Sequence, residues 1–152
     1  MNIYNKIDDI YHKNTFFYKP TLNKLTCYKH FYKIAYNIDN FVLNTLLIEM
    51  PISNISIIKE NNSYKIIINI DTTFLLKLKE YEQQVLNNMN IIIKKTPVIS
   101  SQKYISNNTL IYNYNYNPEN IKLYLRISGI WESDAQYGLI TKVYHYPSTL
   151  KF

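Results

Sequence analysis

Residues 123–146 read LYLRISGIWESDAQYGLITKVYHY. The segment alternates, pauses and alternates again, which is the pattern of two strands joined by a turn. Across 122–128, Leu123, Leu125 and Ile127 fall on one face, and Lys122, Tyr124, Arg126 and Ser128 on the other. The first face reads as core; the second is wet, basic and partly aromatic. Across 139–146 the two sets are Leu139, Thr141, Val143, His145 and Ile140, Lys142, Tyr144, Tyr146. Pairing of strands 121–130 and 138–146 can set Lys142 and Tyr144 beside Tyr124 and Arg126, and register decides whether it does. The stretch also holds both glycines of the chain, its only Trp and its only Arg. Gly129 suits a bulge that re-aims the residues after it, and Gly138 a turn position with positive φ. Trp131 reads either as a plug at one end of the core or as a stacking platform. Glu132 and Asp134 fall at the hairpin tip, where solvation is expected.

Working outward, TLIYNYNY (109–116) alternates strictly. Leu110, Tyr112, Tyr114 and Tyr116 share one face, readable as core or as a binding surface; Asn113 and Asn115 take the other. NISIIK (54–59) and YKIIINI (64–70) flank the polar ENNS and predict a hairpin. Asp71 is placed to cap a helix whose Phe74, Leu78, Tyr81, Val85 and Met89 recur at three- and four-residue spacing, giving a helix over about 72–89. FVLNTLLIEMPI (41–52) reads as one buried strand, IIIKK (91–95) as a short strand, 96–108 as loop and 15–26 as irregular or edge structure. Ile3, Ile7, Ile10 and Tyr11 predict a short N-terminal helix within 2–14. The fold expected is mainly β or α+β: a small antiparallel OB-like barrel or a curved sheet with one main helix. At 152 residues it is a single domain, 1–152, with 1–20 as an N-terminal helical extension.

Ile, Asn, Lys and Tyr dominate, while Gly and Arg are nearly absent. These are the residues of A/T-heavy codons, so the abundance of Tyr carries no functional meaning and only its placement does. The formal charge of +6 and pI near 9.2 favour anionic partners. The lone Cys27 excludes an internal disulfide. The N-terminus MNIYNKIDDIYHK is unlike a signal peptide, and no apolar run reaches the roughly 20 residues needed to span a bilayer. An intracellular, soluble protein is expected.

Catalytic signatures are missing. His12, His30, His145 and Cys27 do not make two ligand pairs, so no metal site is expected. Two glycines cannot build a phosphate loop or a dinucleotide fingerprint. No cofactor and no enzymatic activity are expected. What remains is interleaving of cations and aromatic rings, the equipment of single-strand binders. The candidates are Lys24, Tyr28, Lys29, Tyr32 and Lys33; Lys94, Lys95 and Lys103; Tyr112, Tyr114 and Tyr116; and Tyr124, Arg126, Lys142 and Tyr144. Gly129, Trp131 and Gly138 are assigned structural roles.

Val42, Leu43, Thr45, Phe74 and Leu78, followed by Ser128–Glu132 and by Tyr137, Gly138, Leu139 and Lys142, carry a resemblance over residues 41–146. The chain resembles a family of small proteins encoded by large double-stranded DNA viruses, differing where Leu46 stands in place of a proline after Thr45. The resemblance implies an OB-like, single-stranded-DNA-binding or otherwise uncharacterised viral protein. Two functions are therefore carried forward: sequence-tolerant binding of single-stranded nucleic acid, with self-association, and a structural or protein-interaction role in a virion or oligomer. Membrane association through the basic N-terminal third is the weakest expectation, because Asp8 and Asp9 offset its lysines.

Overall fold

A computed structural model describes residues 4–22 and 29–147. The chain order is β1 (Tyr4–Asn5), two 3-10 turns (Ile7–Asp9, His12–Asn14), β2 (Thr15–Phe17), β3 (Thr21–Leu22), β4 (His30–Ile38), β5 (Phe41–Leu43), β6 (Leu46–Met50), β7 (Ile52–Glu60) and β8 (Ser63–Ile70). Then follow α1 (Thr72–Met89), β9 (Thr96–Val98), α2 (Gln102–Ser106), β10 (Thr109–Tyr114), β11 (Ile121–Glu132) and β12 (Gln136–Pro147). The protein is mainly β, and the described residues form two sheets and no closed barrel. A nine-stranded sheet has the backbone order β1-β6-β11-β12-β9, with β4 also on β11 and β2, β3 and β5 on β4; β10-β8-β7 form a second sheet.

The quoted hairpin organises the large sheet. β12 runs along one side of β11, and on the other side β6 pairs with Leu123–Ile127 while β4 pairs with Gly129–Glu132. The change of partner coincides with a bulge between Ile127 and Gly129. The extra residue reverses the alternation. Leu123, Leu125 and Ile127 point inward before it, and Ile130 and Glu132 after it, all buried. A Cβ on Gly129 would run into the Tyr32 carbonyl and lie 2.7 Å from the Phe31 ring, so this glycine admits β4. Gly138 corrects the expected turn assignment. It lies inside β12 with no positive φ, and a Cβ there would stand 2.9 Å from the Val98 carbonyl and 3.1 Å from the Trp131 indole. Trp131 therefore lies over Gly138 on the outer side instead of plugging the core. With both glycines committed to close approach, the left-handed turn positions fall to Asp39, Asn61 and Asn120.

The predicted helix matches α1. Asp71 caps it by accepting from the Thr73 amide at 2.9 Å, and Phe74, Leu78, Tyr81, Val85 and Met89 are buried together with Leu75, Glu82 and Leu86. This face joins one core with Ile34, Tyr36, Leu46, Ile48 and Met50 of the large sheet and with Ile66, Ile68 and Ile70 of the small one. Buried Glu82 pins the start of α2 by accepting from the amides and hydroxyls of Ser100 and Ser101 at 2.6 to 3.0 Å.

Four expectations are corrected. The N-terminal stretch is a two-residue strand and two 3-10 turns instead of a helix: parallel pairing of Tyr4 and Asn5 with Leu47 and Ile48 holds its start extended, and Tyr36 Oη accepts from the Tyr11 amide at 2.9 Å. Ile3 lies outside the described residues. Segment 41–52 breaks at Asn44–Thr45, because β5 folds back on β4 while β6 crosses to β11. IIIKK is no strand: the Ile92 and Ile93 amides still donate to Met89 O, and Ile91 is 81% exposed. Segment 96–108 is more ordered than a loop, holding β9 and α2.

Candidate nucleic-acid interface

Register fixes what shares the outer face of the large sheet, the side away from α1. Tyr124 pairs with Tyr144 on β12 and Glu49 on β6; Arg126 pairs with Lys142 and Leu47; Lys122 pairs with Tyr146. Directly paired residues lie on the same side of a sheet, so the expected grouping of Tyr124, Arg126, Lys142 and Tyr144 forms. Strand β1 adds Tyr4, paired with Leu47. Its ring stacks on Tyr124 at 4.4 Å with planes 26° apart. Tyr146 meets Tyr124 at 5.8 Å, tilted 58°, and lies 6.4 Å from Tyr144 with planes 13° apart. Arg126 Nη1 donates to Tyr144 Oη at 3.1 Å, and Lys142 Nζ sits 5.1 Å from the centre of the same ring. Tyr4, Leu47, Tyr124, Arg126, Tyr144 and Tyr146 bound a cavity of about 200 Å³.

Past the bulge the same face continues with Phe31, Lys33, Trp131 and Ile140, through the pairs Gly129–Lys33, Trp131–Phe31 and Gly129–Ile140. The face is open among the described residues: Tyr4 is 48% and Tyr146 46% exposed, and Lys33, Lys122, Arg126 and Lys142 are exposed. Tyr124 is the buried floor. Burial, then the neighbouring Tyr4, Glu49 and Tyr146, raises its phenol above the ordinary value, so it stays neutral at physiological pH. Against four cations, Glu49 is the one acid among these face residues.

The other candidates lie elsewhere. Tyr32 is buried and donates to Glu132 Oε1 at 2.6 Å; its phenol is shifted well up by burial and by that carboxylate. Lys95 is spent on the same group, 2.5 Å from Glu132 Oε2 and 2.7 Å from Ser133 O. Glu132 is thus a buried anchor and no solvated tip, because the turn begins only at Ser133. Burial alone would raise its pKa, but hydrogen bonds from Lys95 and Tyr32 and the charges of Lys95 and His30 outweigh it and hold the carboxyl below 4.5.

Tyr112 and Tyr114 turn inward from β10 onto His145 of β12. Tyr112 stacks on the imidazole at 3.8 Å, and the Tyr114 hydroxyl is hydrogen-bonded to Nδ1. Burial lowers the pKa of His145 below 6.5, and Tyr114 is pushed up to about 12, by burial first. Tyr116 is exposed, edge-on to Tyr114. Lys29 pairs with Asp134 at 3.5 Å beyond the end of β4. Lys94 is exposed in the turn after α1, and Lys103 on α2 lies over Tyr104, on the helical side. Lys24, Cys27 and Tyr28 lie outside the described residues.

Sequence reasoning missed Lys122 and Tyr146 as site residues although their parity with Tyr124 and Tyr144 was readable. Tyr4 had no signal, since only a parallel pairing over 42 residues of sequence brings it there. Among the described residues no group of three or more His, Cys, Asp or Glu gathers to hold a metal ion, and no helix is long and apolar enough to cross a membrane. Compared with family models, curated proteins and solved structures, the chain matches none.

Proposed function

We propose that the outer face of the large sheet binds single-stranded nucleic acid without reading base sequence, and that the protein works by binding and not by catalysis. One observation carries this: Tyr4, Tyr124, Tyr144 and Tyr146 share an open sheet face with Lys122, Arg126 and Lys142, and Lys33 extends it. Cations meet phosphates and rings meet bases, which every base satisfies through its π-face. The sequence resemblance to small single-stranded-DNA-binding or uncharacterised viral proteins accords with the same reading; the curved-sheet form of the fold suffices for it, without an OB-like barrel.

Fluorescence anisotropy with labelled single- and double-stranded oligonucleotides tests the proposal. Preferential binding of the single strand is expected, whatever its sequence. Absent binding, or preference for duplex, would overturn it.

A second function is favoured by β7, a nine-residue edge strand that among the described residues pairs only with β8. Its Ile55, Ile57 and Ile58 are 41 to 44% exposed, and such an edge invites pairing with another copy. Light scattering should then show a dimer that Ile57→Lys dissociates; a wild-type monomer at every concentration removes this role.

A further inference from the structure

Tyr144 and Tyr146 stand two residues apart on the same side of β12, with ring planes 13° from parallel and centroids 6.4 Å apart. Stacked bases repeat at about 3.4 Å along a strand, so this interval is close to two stacking distances. The neighbouring pair, Tyr4 on Tyr124, is closed at 4.4 Å and admits nothing between its rings. The open pair is held open from both sides. Arg126 bonds the Tyr144 hydroxyl at 3.1 Å, and the tilted Tyr124 ring meets Tyr146 at 5.8 Å.

Access is also provided. β9 pairs only with Gln136–Gly138, so among the described residues β12 has no strand beside Tyr144 and Tyr146 on its far edge. The adjoining cavity of about 200 Å³ borders both rings and leaves room for a planar ring system. The immediate surroundings are cationic, with Lys142 beside the Tyr144 ring and Lys122 opposite Tyr146 in register.

We infer that the gap between Tyr144 and Tyr146 is a slot for one unpaired nucleobase, sandwiched face-on, with Arg126, Lys142 and Lys122 meeting the phosphates on either side. The inference rests on the nucleic-acid reading of this face and adds to it the chemistry that selects single strands. A base inside a duplex has both faces covered by its neighbours and cannot enter. Both purines and pyrimidines fit, since the rings contact faces and no base edge is read.

The test is a double-mutant cycle on the full chain, read by anisotropy with a labelled single-stranded oligonucleotide. Loss of one base stack is worth about 1–3 kcal/mol, or about five- to 150-fold in affinity. Tyr144→Ala and Tyr146→Ala should each weaken binding within that range. The double variant should be no more than about threefold weaker than the worse single one, because either change opens the same sandwich. Tyr146→Phe, which keeps the ring, should bind within about threefold of wild type. Two losses that multiply mark independent platforms and overturn the slot while leaving the face reading intact; loss-free alanine variants do the same. A wild-type chain that binds no oligonucleotide overturns both. As a second measurement, titration with adenosine monophosphate should shift the ring resonances of Tyr144 and Tyr146 upfield together and leave Tyr112 and Tyr114 unmoved. Resonances that move singly or not at all count against the slot.

Discussion

On the proposed reading, the charge on the outer face predicts a measurable salt dependence of strand binding. Lys33, Lys122, Arg126 and Lys142 are the cations that register places there, so a bound strand meets about four of them. For single strands the logarithm of affinity falls by about 0.7 per neutralised phosphate for each logarithm of salt. The expected slope is then about −2.8, and raising salt from 50 to 200 mM weakens binding about fiftyfold. Replacing Arg126 and Lys142 together by Ala halves the slope to about −1.4 and leaves a loss of about sevenfold over the same range. Lys94 and Lys103, off this face, provide the control: changing both to Gln alters net charge by the same amount and should leave the slope within about 0.3 of wild type. The measurement is an anisotropy titration at five salt concentrations. A wild-type slope shallower than about −1, or equal slopes for the two double variants, would falsify the assignment of phosphates to this face.

Two further outcomes test the framework beneath the site. Gly129→Ala should destabilise by about 3 kcal/mol or more in urea unfolding, because its Cβ meets the Tyr32 carbonyl, which is backbone and cannot swing aside; a cost below about 1 kcal/mol refutes the close approach of β4. Acid should destabilise in two stages. Folding lowers the pKa of His145 from 6.5 and that of Glu132 from 4.5, so on acidification the unfolded chain takes up each proton first. Stability should thus be level from 6.5 up to the ordinary phenol range near 10, decline below 6.5 as His145 contributes, and fall again below 4.5; Glu132→Gln should remove the second stage in thermal melts, whereas a wild-type Tm that rises on acidification from neutral pH contradicts both shifts.

What was legible in the sequence follows from how local each cause is. The α1 stripe and its Asp71 cap depend on residues within a turn or two, and they matched. Alternation placed Leu123, Leu125 and Ile127 inward, but it left the register open, and only the folded hairpin pairs Arg126 with Lys142. The expected bend at Gly129 came as a bulge, and its effect, turning Trp131 outward and Glu132 inward, needed the identity of the new partner β4. Non-local pairing was beyond reach. Nothing near Phe41 says that it will fold onto Ile38 while Leu46 crosses to Ile127, and nothing near Tyr4 names Leu47.

The tyrosines show how one abundant residue type divides between the interior and the proposed binding face. Inside, five phenols have a hydrogen-bond partner: Tyr32 with Glu132, Tyr36 with the Tyr11 amide, Tyr81 with Thr15, Tyr137 with the Leu86 carbonyl and Tyr114 with His145. A buried hydroxyl costs free energy unless it is bonded, so these partners account for the placement of those phenols in the interior. On the outer face the contacts differ in kind: ring on ring for Tyr4, Tyr124 and Tyr146, with a guanidinium and an ammonium around Tyr144. Such contacts are worth only about 0.5–1.5 kcal/mol beyond area burial and can be exchanged for similar contacts with a base. A codon bias can supply the tyrosines, but it does not sort them this way; the pairing of β1, β6, β11 and β12 does.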